Sequence, residues 1–137
     1  TAATNAVTGL TDALMDPTYI ATVSPREPID LSNKFAKAKT MSGPRMFICM
    51  SPCPTGWGFD PKDAHVIAKL AVDTGIFPIK EYFEGKVVHT KRPRKRLPVE
   101  KFLERQKRFS HLFYPERCED VISQIQKNVD DYWSHFE

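Results

Sequence analysis

Short apolar stripes separated by Pro and Gly stops organise the chain, and their spacing switches repeatedly between helical and extended periods. Val7, Leu10, Leu14 and Met15 recur at helical spacing and predict a helix over residues 3–15, ended by Asp16 and Pro17. Residues 18–23 (TYIATV) are rich in β-formers and bounded by Pro25, which predicts a strand. Over residues 28–39 a leading proline, a stripe of Leu31, Phe35 and Ala38, and the Gly43-Pro44 stop predict a second helix. Residues 45–50 (RMFICM) are apolar at alternate and intervening positions alike, as expected of a strand covered on both faces. Strand, helix and strand in so short a span predict a βαβ unit, with a parallel pair and a right-handed crossover.

Downstream, Pro61 and Gly75 bracket a third helix over 61–75. A hairpin of residues 78–83 and 86–90 turns at Glu84-Gly85. A helix over 99–109 follows, then an amphipathic one over 116–136 with Val121, Ile122, Ile125, Val129 and Trp133 on one face. The expected fold class is α/β. Residues 1–75 read as an α/β part, and residues 76–137 as an appended hairpin, basic loop and helical tail.

Composition bounds this picture without changing it. A chain of 137 residues that is 41% apolar can build one core, and 27% charged residues is a globular level. The net charge of +3 is small and concentrates in residues 91–96 (KRPRKR). That run reads as a solvated loop, as a dock for an acidic protein, or as a nucleic-acid contact. The last ranks lowest, because no aromatic residues are interleaved with it. No apolar run approaches the ~20 residues of a membrane helix, so neither membrane nor nucleic acid is an expected partner. The chain lacks a secretory signal and a starting Met, which suggests a processed or excised piece. Three cysteines form no closed disulfide framework, so a reducing, cytoplasmic setting is expected.

The remaining chemistry narrows to one residue. His65, His89, His111 and His135 show no zinc spacing, and no phosphate loop or nucleophile motif appears. Cys49 alternates with Phe47 and reads as a core thiol, and Cys118 as an ordinary residue at the start of the last helix. Cys53 differs. It sits between Pro52 and Pro54 in 51-SPCPTGWGF-59, where Gly56 and Gly58 allow close approach of a bulky group. The corner is either structural or a rigid seat for a thiolate that ligates iron–sulfur. One cysteine cannot hold a cluster, so its other thiolates would come from elsewhere.

Four segments occur here in order: 19-YIATVSP-25, 51-SPCPTGWGF-59, 70-LAVDTGIFPIKE-81 and 98-PVEKFLERQKRFSHL-112. Together they closely resemble the carboxyl-terminal half of the thiamine-diphosphate-binding β subunit of 2-oxoacid:ferredoxin oxidoreductases, of which pyruvate:ferredoxin oxidoreductase (pyruvate synthase) is the best-known type. The likeness runs from about residue 18 to Trp133, and the Cys-Pro-Thr-Gly-Trp turn is its most specific piece. The resemblance implies the C-terminal part of a thiamine-binding, Rossmann-like parallel-sheet fold. It implies oxidative decarboxylation of a 2-oxoacid to acyl-CoA and CO2, with electrons passed through 4Fe–4S clusters to ferredoxin. Pyruvate is the favoured 2-oxoacid, with branched-chain, aryl and oxalate types open.

The implied cofactors are a 4Fe–4S cluster, thiamine diphosphate and Mg2+. The implied partners are the other subunits or domains (alpha, gamma and delta type), ferredoxin, the 2-oxoacid and coenzyme A. The resemblance makes Cys53 the fourth cluster ligand, the other three coming from the amino-terminal half, and it assigns no catalytic residue here. The family's Gly-Asp-Gly motif with its later Asn, and its other cluster cysteines, are absent from this sequence. The chain is therefore expected to be a piece of a β subunit, inactive alone. A non-catalytic subunit-interaction domain using the basic run and the tail helix is the competing reading, followed by a nucleic-acid module.

Overall fold

The computed structural model describes residues 18–136, and the helix expected over 3–15 lies outside them. Two compact units share the chain: residues 18–51 with 78–92, and residues 52–77 with 93–136.

In the first unit, β1 (Tyr19–Val23), α1 (Pro28–Lys39) and β2 (Arg45–Cys49) make the expected strand–helix–strand. β1 and β2 run parallel, from Tyr19 beside Arg45 to Val23 beside Cys49. β3 (Ile79–Phe83) and β4 (Lys86–Lys91) form the expected antiparallel hairpin, and β3 also pairs antiparallel with β1. The sheet order is β2-β1-β3-β4, so the α/β fold carries a mixed sheet whose parallel part is β1 and β2. Glu84 and Gly85 turn the hairpin at φ of 50° and 76°, the left-handed region that such a tight two-residue connection requires. Pro28 opens α1, Asp30 sits in its first turn and Lys37 and Lys39 in its last, all favourable to the helix dipole.

Position in the sheet decides burial. Every residue of β1, flanked on both sides, is buried, and Tyr19, Ala21 and Val23 pack with Ala38 of α1. β2 is an edge strand, exposed at both ends and half-buried between. The expectation of a strand covered on both faces, with Cys49 as a core thiol, is therefore corrected. Among the described residues only β1 pairs with β2, and Cys49 is exposed. The Phe47 ring stacks on Phe35 at 4.0 Å and meets Tyr19 edge-on at 5.9 Å.

Charges are also buried here. Lys34, only 2% exposed, contacts Asp30 at 2.7 Å and donates to the Thr22 carbonyl at 2.9 Å. Burial pulls its pKa down against the opposing pull of Asp30. The Tyr19 hydroxyl donates to Glu81 at 2.7 Å, and burial together with that carboxylate raises the phenol's pKa. Lys37 completes the set as the ion-pair partner of Glu81.

His89 on β4 stands in register with Lys80 on β3. Desolvation, then the charges of Lys80 and Arg92, lower its pKa to about 4. An unfolded histidine titrates near ~6.5. As the pH falls below that value, the unfolded chain takes a proton that the folded protein refuses. The stability contributed by neutral His89 is thus complete above about pH 6.5 and is lost as the pH falls toward about 4. At ~1.4 kcal/mol per pKa unit, reduced for the ring's partial exposure, the loss is about 1–2 kcal/mol. Urea midpoints measured across this window should fall for the parent and fall less for His89→Gln.

The second unit is helical. α2 (Pro54–Trp57) is one turn, and a 3-10 turn at Pro61–Asp63 leads into α3 (Ala64–Asp73). Asp60 caps that turn by accepting the Lys62 N–H at 3.1 Å, so the helix expected over 61–75 begins as a tighter coil. The helix expected over 99–109 is corrected to a short α4 (Glu100–Leu103) and a 3-10 turn, Lys107–Leu112. Two diverted hydrogen bonds explain the break. The buried Gln106 side chain donates to the Phe102 carbonyl, the acceptor that its own N–H would use in an α-helix. That N–H bonds Leu103 instead, and the Lys107 N–H leaves for the Gly58 carbonyl at 3.0 Å.

The long α5 (Glu119–Ser134) is the expected amphipathic helix, shorter at both ends. It buries Ile122, Val129 and Trp133 and half-buries Ile125. Val121, 46% exposed, departs from the expected stripe because it lies ~100° around the helix from Ile122. No helix among the described residues is long and apolar enough to cross a membrane.

Candidate functional site

Cys53 ends an extended stretch and caps α2. A residue before proline is steered away from helical dihedrals, and Cys53 sits at φ −102°, ψ 106°. Pro54 then starts the turn with a fixed φ at a position that needs no N–H. The sulfur is exposed and accepts the Gly56 N–H at 3.3 Å. The Trp57 N–H returns to the Cys53 carbonyl at 2.9 Å, and the Gly58 and Phe59 N–H groups both reach Pro54. The two glycines differ in how strictly the turn needs them, Gly58 being required and Gly56 only tightly placed. A Cβ on Gly56 would stand 3.3 Å from the sulfur, and one on Gly58, at φ +70°, would meet the Lys107 Cβ at 2.6 Å. An exposed thiol with a backbone N–H aimed at it suits a thiolate that binds a soft metal centre.

The indole that follows is held on several sides. Trp57 meets Phe59 and Phe102 edge-on at 6.2 and 6.4 Å, and the Arg108 guanidinium lies 3.9 Å from its ring centroid. Arg108 also lies over Phe109 at 4.6 Å and donates through Nε to the Gln106 side-chain oxygen at 2.8 Å. The sequence reading did not single out Arg108 or Gln106. Both lie in the segment 98–112, but their partner Trp57 is far away along the chain.

The other candidates fall into local roles. Cys118 occupies the N-cap position of α5 without a side-chain cap bond, exposed, its thiol 3.7 Å from the His111 carbonyl, and the Cys49 thiol stands 3.8 Å from the carbonyl of Met50. All three cysteines are free. His65 and His135 contact the carbonyls of Lys62 and Asp131 within their own turns. Among the described residues no group of three or more His, Cys, Asp or Glu is placed to hold a metal ion. Cys53 therefore fits one place in a shared ligand set, and the described residues do not fit a complete one. The basic run is divided. Lys91 ends β4 and pairs with Glu27 at 3.4 Å, whereas Arg96 faces Asp130 at 3.7 Å and lies over the Trp133 ring. Arg94 and Lys95 are exposed.

No protein-family model matches the chain. Curated relatives do. The chain is 42% identical over 119 residues to pyruvate synthase subunit PorB of Methanosarcina barkeri, a match covering 87% of this chain and 40% of that protein. To pyruvate synthase subunit PorB of Methanocaldococcus jannaschii it is 40% identical over 113 residues, 82% of this chain and 36% of that protein. To ketoisovalerate oxidoreductase subunit VorB of Pyrococcus furiosus it is 38% identical over 117 residues, 84% of this chain and 36% of that protein. The chain thus spans 36–40% of the length of the relatives it matches.

Proposed function

Since the chain belongs to the family of β subunits of 2-oxoacid:ferredoxin oxidoreductases, we propose that it serves in thiamine-dependent oxidative decarboxylation of a 2-oxoacid to acyl-CoA and CO2, with ferredoxin as electron acceptor. The observation that carries this reading is the exposed Cys53 in its Pro-Cys-Pro corner, with the Gly56 N–H on its sulfur, in a chain of this family. Cys53 would supply one ligand to a 4Fe–4S cluster, a group that passes single electrons. Thiamine diphosphate and Mg2+ would be held mainly by residues outside this chain. Pyruvate is the proposed substrate, following the names of the methanogen relatives; a ketoisovalerate-type acid is the alternative that the Pyrococcus relative supports. The working compartment is proposed to be the cytoplasm.

Two measurements test this. The full-length subunit, assembled with its partner subunits, should reduce ferredoxin only when 2-oxoacid, coenzyme A and thiamine diphosphate are all present, and no such turnover would overturn the reading. Titration of the 137-residue chain alone with thiamine diphosphate and Mg2+ should give no specific heat, and stoichiometric micromolar binding would place the cofactor site within this chain.

Ferredoxin is proposed to approach over Arg94 and Lys95. Charge steering between electron-transfer partners acts on the encounter rate and fades with salt, since the screening length is ~8 Å at ~0.15 M. Replacing both residues with Gln should slow ferredoxin reduction several-fold at low ionic strength and leave reduction of a neutral dye unchanged. Equal ferredoxin rates for parent and variant would remove the docking role.

A further inference from the structure

We propose that Arg108 is a positioning residue for the Cys53 sulfur, acting through the Trp57 ring; the proposal rests on Cys53 being a cluster ligand. The need for such a residue comes from α2 itself. It is a single turn of four residues, and so short a helix has no stability of its own. Something outside must hold it.

Besides Phe59, which meets one edge of the indole, the holding contacts come from residues 102–108. The Lys107 N–H takes the Gly58 carbonyl at 3.0 Å and pins the end of the turn. Phe102, buried in the unit, sets one edge of the indole. Arg108 covers the ring at 3.9 Å and is itself aimed by Gln106, whose amide nitrogen is tied to the Phe102 carbonyl. Gln106 is 2% exposed, so this link is anchored in packed protein and not in solvent. A continuous path of planar groups therefore runs from Phe102 through Gln106 and Arg108 to Trp57. The Trp57 N–H completes it by bonding the Cys53 carbonyl.

Arginine is suited to this position for a physical reason. Its flat cation can stack on Trp57 and Phe109 while Nε–H donates in plane to Gln106, a combination an ammonium cannot reproduce. If the ring tilts, α2 tilts with it, and both the sulfur and the Gly56 N–H change direction. Hydrogen bonds to cluster sulfurs tune the potential, so a change in this corner should be read out electrochemically.

The test uses the assembled full-length enzyme and compares Arg108→Gln, Trp57→Leu and the double variant. Each single change should displace the cluster's midpoint potential and its electron-paramagnetic spectrum while iron content is retained. The double variant should displace the potential no further than the larger single change, because both break one link. Arg108→Lys, which keeps the charge but loses the in-plane bond, should fail to restore the parent potential. No shift in Arg108→Gln, additive shifts, or full rescue by lysine would overturn the proposal.

A second measurement needs no cluster. Hydrogen exchange at the Gly56, Trp57 and Gly58 amides of the 137-residue chain should rise about tenfold in Arg108→Gln, and unchanged exchange would also overturn it. Failure of the ligand reading is told apart by Cys53→Ser. If that variant keeps its iron, the cluster assignment fails, whatever the exchange data show.

Discussion

Cys53→Ser in the full-length, assembled enzyme is expected to lower iron content and to cut 2-oxoacid-dependent ferredoxin reduction by ~100-fold or more, with the fold intact. Loss of an outer-shell partner of a metal site already costs ~10–100-fold, and a lost ligand should cost at least as much. The fold should survive because serine is itself a favoured N-cap, and its hydroxyl oxygen can accept the Gly56 N–H that the sulfur accepts now. A thermal melt beside iron analysis and turnover separates the two effects. Retained iron and activity would end the ligand assignment. Cys49→Ala and Cys118→Ala serve as controls. Both thiols are exposed with only long sulfur contacts, so each change should stay within about 0.5 kcal/mol. For Cys49 this revises the cost of about 1 kcal/mol that a core thiol would have carried.

The parts of this molecule that the sequence reveals are those set by local chemistry. The β1–α1–β2 order, the hairpin turning at Glu84-Gly85 and the amphipathic α5 each follow from periodicity and punctuation inside their own segments. The Cys53 corner was legible in part for the same reason, since Pro52 and Pro54 stiffen it locally, while the contacts from residues 102–108 that hold it were not. What was hidden depends on neighbours remote in sequence. The apolar pattern of β2 states what the strand could be packed between, not which strands lie beside it, and it proves to be an edge. The end of α4 is decided by Gly58, which captures the Lys107 N–H. Lys34 is a charged residue that is buried, because Asp30 one turn earlier and the Thr22 carbonyl satisfy its ammonium, and the Thr22 contact exists only in the fold. Arg108 was silent because its meaning lies in the Trp57 ring.

Trp133→Ala should be the most destabilising single change in the helical unit, at about 3–5 kcal/mol, because it removes a buried aromatic whose cavity the neighbours cannot refill. The indole is 3% exposed, and its Nε1–H donates to the Gly75 carbonyl at 3.0 Å. Gly75, just past the end of α3, sits at φ +77°, and a Cβ there would collide with the same indole nitrogen. The Arg96 guanidinium lies 5.8 Å from the ring centroid and is drawn toward Asp130 one turn earlier on α5. One side chain thus ties α5 to the end of α3 and to the basic loop. Trp133→Phe keeps most of the apolar area but leaves the Gly75 carbonyl without its donor, at about 1–3 kcal/mol. Against a typical total of ~5–15 kcal/mol, the alanine variant should lose much of its folding margin. Urea unfolding should show a lower midpoint with the slope unchanged, ordered parent, Trp133→Phe, Trp133→Ala. Indistinguishable midpoints for Phe and parent would mean that the indole N–H contributes nothing net, and that the residue acts through packing alone.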